Sequence, residues 1–217
     1  MPPEVGPARP PPTTSARLGV LVSGRGSNLQ ALIQAVETGA LNARIALVLS
    51  NRRQAGGLDL ARAAGIETVV LEHRQFATRD EYDQKLAEEL HARHVTLVCL
   101  AGFMRLVGPR LLDAFPDAVL NIHPSLLPAF PGLNAQQQAL EHGARVTGAT
   151  VHLVTTDLDA GPIVLQACVP VHDVDTIQSL SERILVEEHR IYPEAVASVL
   201  AGGWRIEGRR FLRGGSA

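Results

Sequence analysis

The chain is poor in several things that whole classes of protein need. Aromatic side chains make up 4% of its 217 residues, with a single tryptophan. Single-stranded nucleic acids are held by stacking bases on aromatic platforms, and this composition offers few. Charge of one sign is also missing. Twenty basic residues against 22 acidic ones leave a net charge of -2, which is no footprint for a nucleic-acid backbone and no attraction to an anionic membrane. No apolar run approaches the roughly 20 residues needed to cross a bilayer. The N-terminal stretch MPPEVGPARPPPTTSAR lacks the apolar centre of a signal peptide. Residues 1–16 are therefore expected to be a disordered, proline-rich lead-in to a cytoplasmic protein. Cysteine is scarce too. Cys99 and Cys168 each lie in an apolar run, LVCLAG and LQACVP, and are expected to be buried, reduced thiols. No spacing of His, Cys, Asp or Glu makes a metal site.

What is present is 46% hydrophobic residues, enough for a packed core, arranged in a regular rhythm. From Leu18, short apolar strands alternate with amphipathic helices. LGVLVS reads as a strand. NLQALIQAVETG reads as a helix with Leu29, Leu32, Ile33 and Val36 on one face and Gly39 as its stop. ARIALVLS, ETVVLE and VTLVCLAG read as strands, with helices over GLDLARAAG and Asp80–Arg93 between them. The last of these helices turns Tyr82, Leu86 and Leu90 inward. The nearly continuous apolar run VTLVCLAG fits a parallel strand covered on both faces. A short helix at Pro109–Ala114 and the strand AVLNIHP follow. Val146–Val154 and Ile163–Val169 read as two further strands, Thr176–Leu200 as a long helix, and Trp204–Leu212 as a terminal hairpin turning at Gly208. The pattern predicts an α/β fold: a doubly wound, mostly parallel, Rossmann-like sheet with a C-terminal antiparallel portion. Residues 17–217 show no internal repeat and no linker, and read as one domain. Ligands of such sheets bind beyond the carboxyl ends of the strands.

Two segments at those ends carry chemistry. Ser23-Gly24-Arg25-Gly26-Ser27-Asn28 follows the first strand and opens a helix. Its glycines let backbone approach a ligand closely, and its N–H groups at a helix N-terminus suit an anion. It lacks the Lys-Ser/Thr ending of an ATP loop and the third glycine of a dinucleotide loop. A single phosphate on a small ligand fits it better, although the same turn also occurs where a strand merely hands over to a helix. In the second segment, Asn121 and His123 are one residue apart, so an extended strand carries both on one side. Pro124 then ends the strand. An amide donor beside an imidazole can hold a developing oxyanion and supply a proton. A carboxylate nearby would favour the imidazolium and raise its pKa. The turn TTDLDAGP offers both Asp157 and Asp159, and the residues alone do not rank them. His152, on a neighbouring strand, reads as structural or supporting.

SGRGSNLQ, LAGFMRL, LNIHPSLLPAFPGLNAQQQAL, TGATVHLVTTDLDAGPIVLQ and EEHRIYP, in this order and spacing, resemble the folate-dependent formyltransferase family, and within it the phosphoribosylglycinamide formyltransferases. The resemblance runs from about Arg17 to Leu212. It implies transfer of the formyl group of 10-formyltetrahydrofolate to the amine of 5-phosphoribosylglycinamide in de novo purine synthesis, with no metal. It implies that Asn121 and His123 stabilise the oxyanion, that His123 donates a proton, and that Asp159 is the supporting carboxylate. Gly26, Ser27 and Asn28 match residues that hold the substrate phosphate, Glu188 matches an acid on the ribose, and Pro124 lines the same pocket. Arg79, Met104, Arg105, Leu106 and Val107, with Asn121, match the folate site, Arg79 near the glutamate tail. As core residues, Met104 and Leu106 have an ordinary structural reading as well. The implied partners are these small molecules only, for a monomer or a homodimer. One departure stands out: Asn134-Ala135-Gln136-Gln137 occupies a loop where many relatives carry histidines. A formyltetrahydrofolate hydrolase would share the trio but use water as acceptor, and such relatives usually carry an extra N-terminal regulatory domain. A methionyl-tRNA formyltransferase would need an additional RNA-binding domain. A folate- or nucleotide-binding module without catalysis would not need Asn121, His123 and Asp159 together.

Overall fold

The computed structural model describes residues 8–9 and 16–214. The disorder expected of the lead-in falls almost wholly outside them. Arg9 is described, and its backbone pairs with the C-terminal region: its N–H donates to the Trp204 carbonyl at 2.8 Å, and its carbonyl accepts from Gly203 N–H at 2.7 Å. The chain forms two compact units, one over Thr13–Asn121 and one that includes Ile122–Ala217. No linker separates them in sequence because the chain passes from one to the other inside a single strand.

The first unit holds β1 (Ala16–Val22), α1 (Ser27–Glu37), β2 (Ala43–Ser50), α2 (Gly56–Ala63), β3 (Thr68–Val70), α3 (Arg79–Ala92), β4 (Leu97–Leu100), α4 (Pro109–Ala114) and most of β5 (Val119–His123). Its strands run in the order β3-β2-β1-β4-β5, and every pair is parallel. The chain first winds outward from β1 to β3 and then returns to the other side of β1 with β4. The carboxyl ends of β1 and β4 therefore flank the point where the winding reverses, the place where open α/β sheets bind ligands. β4 is buried at all four residues, as its unbroken apolar run requires. In α1 the buried line is Leu29, Leu32 and Ala35; Ile33 and Val36 are only half-buried. In α3, Tyr82, Leu86 and Leu90 face inward as expected, and Asp83 joins them at 1% exposure. Thr78 caps this helix, its hydroxyl accepting from Glu81 N–H at 3.2 Å.

The second unit holds α5 (Ala135–Glu141), β6 (Val146–Leu153), β7 (Ile163–Pro170), α6 (Ile177–Leu200), β8 (Trp204–Glu207) and β9 (Arg210–Arg213). β6 and β7 are antiparallel, β8 and β9 form the expected hairpin, and β9 meets β7 in parallel at Ile163 and Arg210. α6 opens with a capping box between Thr176 and Ser179 and packs on β6 and β7. From Gln166 to Pro170 of β7, Ala167 and Val169 are buried while Gln166, Cys168 and Pro170 are exposed. This period of two corrects one expectation: Cys99 is buried but Cys168 is exposed, because β7 covers the core with one face only. Among the described residues, no helix is long and apolar enough to cross a membrane.

Gly148 of β6 sits where a Cβ atom would lie 1.9 Å from the Ala167 carbonyl oxygen and 2.9 Å from a Leu126 methyl. Backbone cannot give way as a side-chain tip can. Gly148→Ala is expected to cost about 1–3 kcal/mol of stability, the usual range for overpacking, read as a lowered urea midpoint. An unchanged midpoint would show that β6 and β7 can separate freely there.

Candidate active site

β5 carries Asn121 and His123 two residues apart, on one face of the strand. His123 is 5% exposed and both its ring nitrogens face acceptors. Nε2 lies 2.9 Å from the Phe130 carbonyl oxygen, and Nδ1 lies 3.5 Å from Asp159 Oδ2. Of the two aspartates left open by the sequence, Asp159 is thus the one that meets the histidine; Asp157 is exposed. The Asp159 carboxylate has two further partners. Gly132 N–H donates to Oδ2 at 2.8 Å, and His152 Nε2 stands 3.6 Å from Oδ1. The other nitrogen of His152 faces the Leu153 carbonyl at 3.0 Å, so both edges of this ring are occupied.

The acceptors on either side of His123 come from residues with left-handed backbone. Phe130 has φ +53° and Asp159 φ +49°, left-handed conformations that L-residues other than Asn and Asp rarely adopt. Hydrogen bonds hold the segment between His123 and Phe130. Ser125 Oγ donates to the Ala129 carbonyl at 2.6 Å. Thr150 Oγ1 donates to the Ser125 carbonyl at 2.7 Å and accepts from Leu127 N–H at 3.1 Å. The segment after Pro131, treated as a loop from sequence, contains α5, whose N-cap Asn134 is also left-handed.

Burial pushes the His123 pKa down, while the Phe130 carbonyl and the Asp159 carboxylate pull it up and the His152 ring lowers it. The net direction is downward. The expectation that the carboxylate raises this pKa identifies a real contribution, but desolvation outweighs it. Asp159 is held below the usual aspartate range. Burial acts against this, and the His152 ring, the Gly132 N–H and the positive charge of either imidazole prevail.

The other candidate residues divide between the two units. Pro124 follows His123 and is half-buried. Glu188 is a buried residue of α6 at 8% exposure, not the exposed helical acid its composition would give. In the first unit, Gly26 is the N-cap of α1 with φ +83°, and no side chain caps the helix. A Cβ on Gly26 would lie 2.6 Å from Gly57 Cα, so only glycine fits. Ser27 is half-buried and Asn28 buried. Beyond β4, Met104 is 63% and Leu106 58% exposed, which removes their reading as core residues. Arg105 is half-buried, its guanidinium 5.3 Å from the centre of the Tyr82 ring. Arg79 is committed to this loop: its Nη2 donates to the Val107 carbonyl at 2.6 Å. Sequence reasoning missed Asp83, whose Oδ2 accepts from Gly108 N–H at 2.6 Å, and the carbonyl of Phe130. Neither has a sequence signal, since one is a single polar residue on a helix and the other is backbone.

Fold and site together define an α/β protein with a buried imidazole–carboxylate pair at a strand end, equipped for proton transfer. The chain belongs to the formyl transferase family, whose model matches residues 16–196. Phosphoribosylglycinamide formyltransferase of Escherichia coli is 43% identical over 190 residues, covering 88% of this chain and 87% of that protein. The human trifunctional purine biosynthetic protein adenosine-3 is 48% identical over 187 residues, but the chain spans only about a fifth of that protein, 18% of its length. Glycinamide ribonucleotide transformylase 1 from Symbiobacterium toebii has the same fold, with a TM-score of 0.89 and 54% identity over 90% of this chain and 92% of that one. The expected fold class, a mostly parallel sheet with antiparallel strands toward the C-terminus, stands.

The His123 ring is expected to titrate below its ordinary 6.5 in an NMR pH series, and Asp159→Asn to lower the midpoint further by removing the upward pull. The native ring binds fewer protons than the unfolded one, so stability rises with pH from the folded pKa to 6.5. His123→Gln should flatten that slope. A midpoint above 6.5 would show that the carboxylate outweighs burial.

Proposed function

We propose that this chain transfers the formyl group of 10-formyltetrahydrofolate to the amine of 5-phosphoribosylglycinamide, acting in the cytoplasm as a monomer or a homodimer. The observation that carries the reading is Asp159 Oδ2 at 3.5 Å from Nδ1 of the buried His123, in a chain of the formyl transferase family. The family model runs without a break through both compact units, which supports residues 17–217 acting as one catalytic domain.

In this reading the substrate amine attacks the formyl carbon. Asn121 donates its amide N–H to the oxygen as charge develops there, and the His123 imidazolium does the same and then gives up a proton to the departing folate nitrogen. A ring whose pKa burial has lowered is a stronger acid once charged; Asp159 beside Nδ1 favours the charge, and Nε2–H, which meets the Phe130 carbonyl before substrate binds, turns to the substrate. Asp159 also passes the amine's proton onward, partly through water. Gly26, Ser27 and Asn28 hold the phosphate with N–H groups at the start of α1, and Glu188 and Pro124 bound the ribose end. The exposed side chains of Met104 and Leu106 fit the flat face of the pterin ring, with Arg105 and Val107 beside them. Because Arg79 braces Val107, its part in the folate site is to shape the loop as well as to attract the glutamate tail. The formyl-folate, when bound, supplies the one-carbon group and no other chemistry.

Asn121→Ala and His123→Ala are each expected to lower kcat by about a hundredfold or more, with little effect on substrate affinity. Near-normal turnover in either would end the assignment. An assay with the ribonucleotide omitted separates the hydrolase reading, because consumption of formyl-folate at the full rate without an amine acceptor would establish it.

A further inference from the structure

The two loops read above as the phosphate loop and the folate loop leave β1 and β4, neighbouring strands at the reversal of the sheet. They are joined by one side chain. Ser23, at the end of β1 and 3% exposed, uses its hydroxyl in both directions. It accepts from Met104 N–H at 2.8 Å and donates to Asn51 Oδ1 at 2.6 Å. Its own N–H donates to the Gly102 carbonyl at 3.1 Å. A serine hydroxyl has one proton to give, and here it goes to Asn51, itself buried at 4%. The orientation of the Met104 peptide is thereby fixed by the residue that begins the phosphate loop.

The far ends of the two loops are anchored elsewhere. Gly24 accepts from Gly57 N–H at 3.1 Å, and Gly26 packs against Gly57 with no room for a Cβ. Beyond Leu106, the other loop is pinned by Asp83 on Gly108 N–H and by Arg79 on the Val107 carbonyl. The span free to respond to a ligand in each loop is thus short, and the two spans meet at Ser23.

We infer that Ser23 is a positioning residue that couples the two substrate subsites, so that the ribonucleotide's phosphate on Gly26–Asn28 sets the orientation of Met104 for the folate. The inference rests on the reading of the two loops given above. Coupling between sites is reciprocal, so tighter folate binding in the presence of ribonucleotide implies the converse by the same factor.

The test uses tetrahydrofolate, which carries no formyl group and cannot react, titrated calorimetrically into the full chain with and without 5-phosphoribosylglycinamide. The wild type is expected to bind tetrahydrofolate at least about fivefold more tightly when the ribonucleotide is present. In Ser23→Ala that ratio should fall to near one, because Met104 N–H loses its acceptor, and Ser23→Thr, which keeps the hydroxyl, should restore it. Asn51→Ala leaves the Met104 contact but frees the hydroxyl to rotate, and should reduce the ratio in part. It decides the matter if Ser23→Ala does not fold by circular dichroism. A wild type that binds neither ligand overturns the reading of the loops and the coupling with it. A wild type that binds both with a ratio near one, or a Ser23→Ala or Asn51→Ala variant that keeps the full ratio, overturns the coupling alone.

Discussion

The carboxylate of Asp159 is the fixed point around which the surroundings of His123 are organised. It is a largely buried anion, which water would stabilise far better than protein unless donors replace the lost hydration. Gly132 N–H supplies one donor at 2.8 Å, and the rings of His123 and His152 stand within 3.6 Å on either side. Each of these groups is in turn held by something further out: Gly132 by the turn after Phe130, His152 by the Leu153 carbonyl, and His123 by Phe130. The left-handed backbone at Asp159 and Phe130 is strain of the kind that persists only where surrounding contacts over-determine it.

A second constraint governs the loops that follow β1 and β4. The order β3-β2-β1-β4-β5 brings the ends of β1 and β4 side by side although about 80 residues of chain separate them. Nothing about a Ser-Gly-Arg-Gly-Ser-Asn segment requires it to touch a Gly-Phe-Met-Arg segment. The winding of the sheet does, and the Ser23 hydroxyl makes the junction a hydrogen bond instead of mere proximity.

Much of the fold was legible in sequence because parallel strands buried on both faces leave unbroken apolar runs, and helices between them leave a 3.6-residue period. VTLVCLAG and NLQALIQAVETG are cases of each. What was not legible depended on which face of an element meets the core. Cys168 sits in a largely apolar run, as Cys99 does, yet β7 exposes one side. Asp83 looks like any charged residue of a charged helix, and only the close approach of Gly108 makes it a buried acceptor. The site shows the same division. Asn121 and His123 were readable from strand periodicity, whereas Asp159 was singled out over Asp157 only by the family resemblance, since the residues alone do not show which way the turn faces. The sign of the His123 pKa shift turned on desolvation, which no residue pattern encodes.

The uneven exposure of the two thiols has a practical side. Cys99 is sealed within β4 and Cys168 stands on the open face of β7, and the chain has no other cysteine. A maleimide dye or nitroxide added to the native protein would therefore attach at one place, on the rigid strand that follows the Asp159 turn. The unmodified sequence thus arrives with a unique handle for spectroscopy, in a position from which rearrangements of that turn could be watched without altering His123 or Asp159.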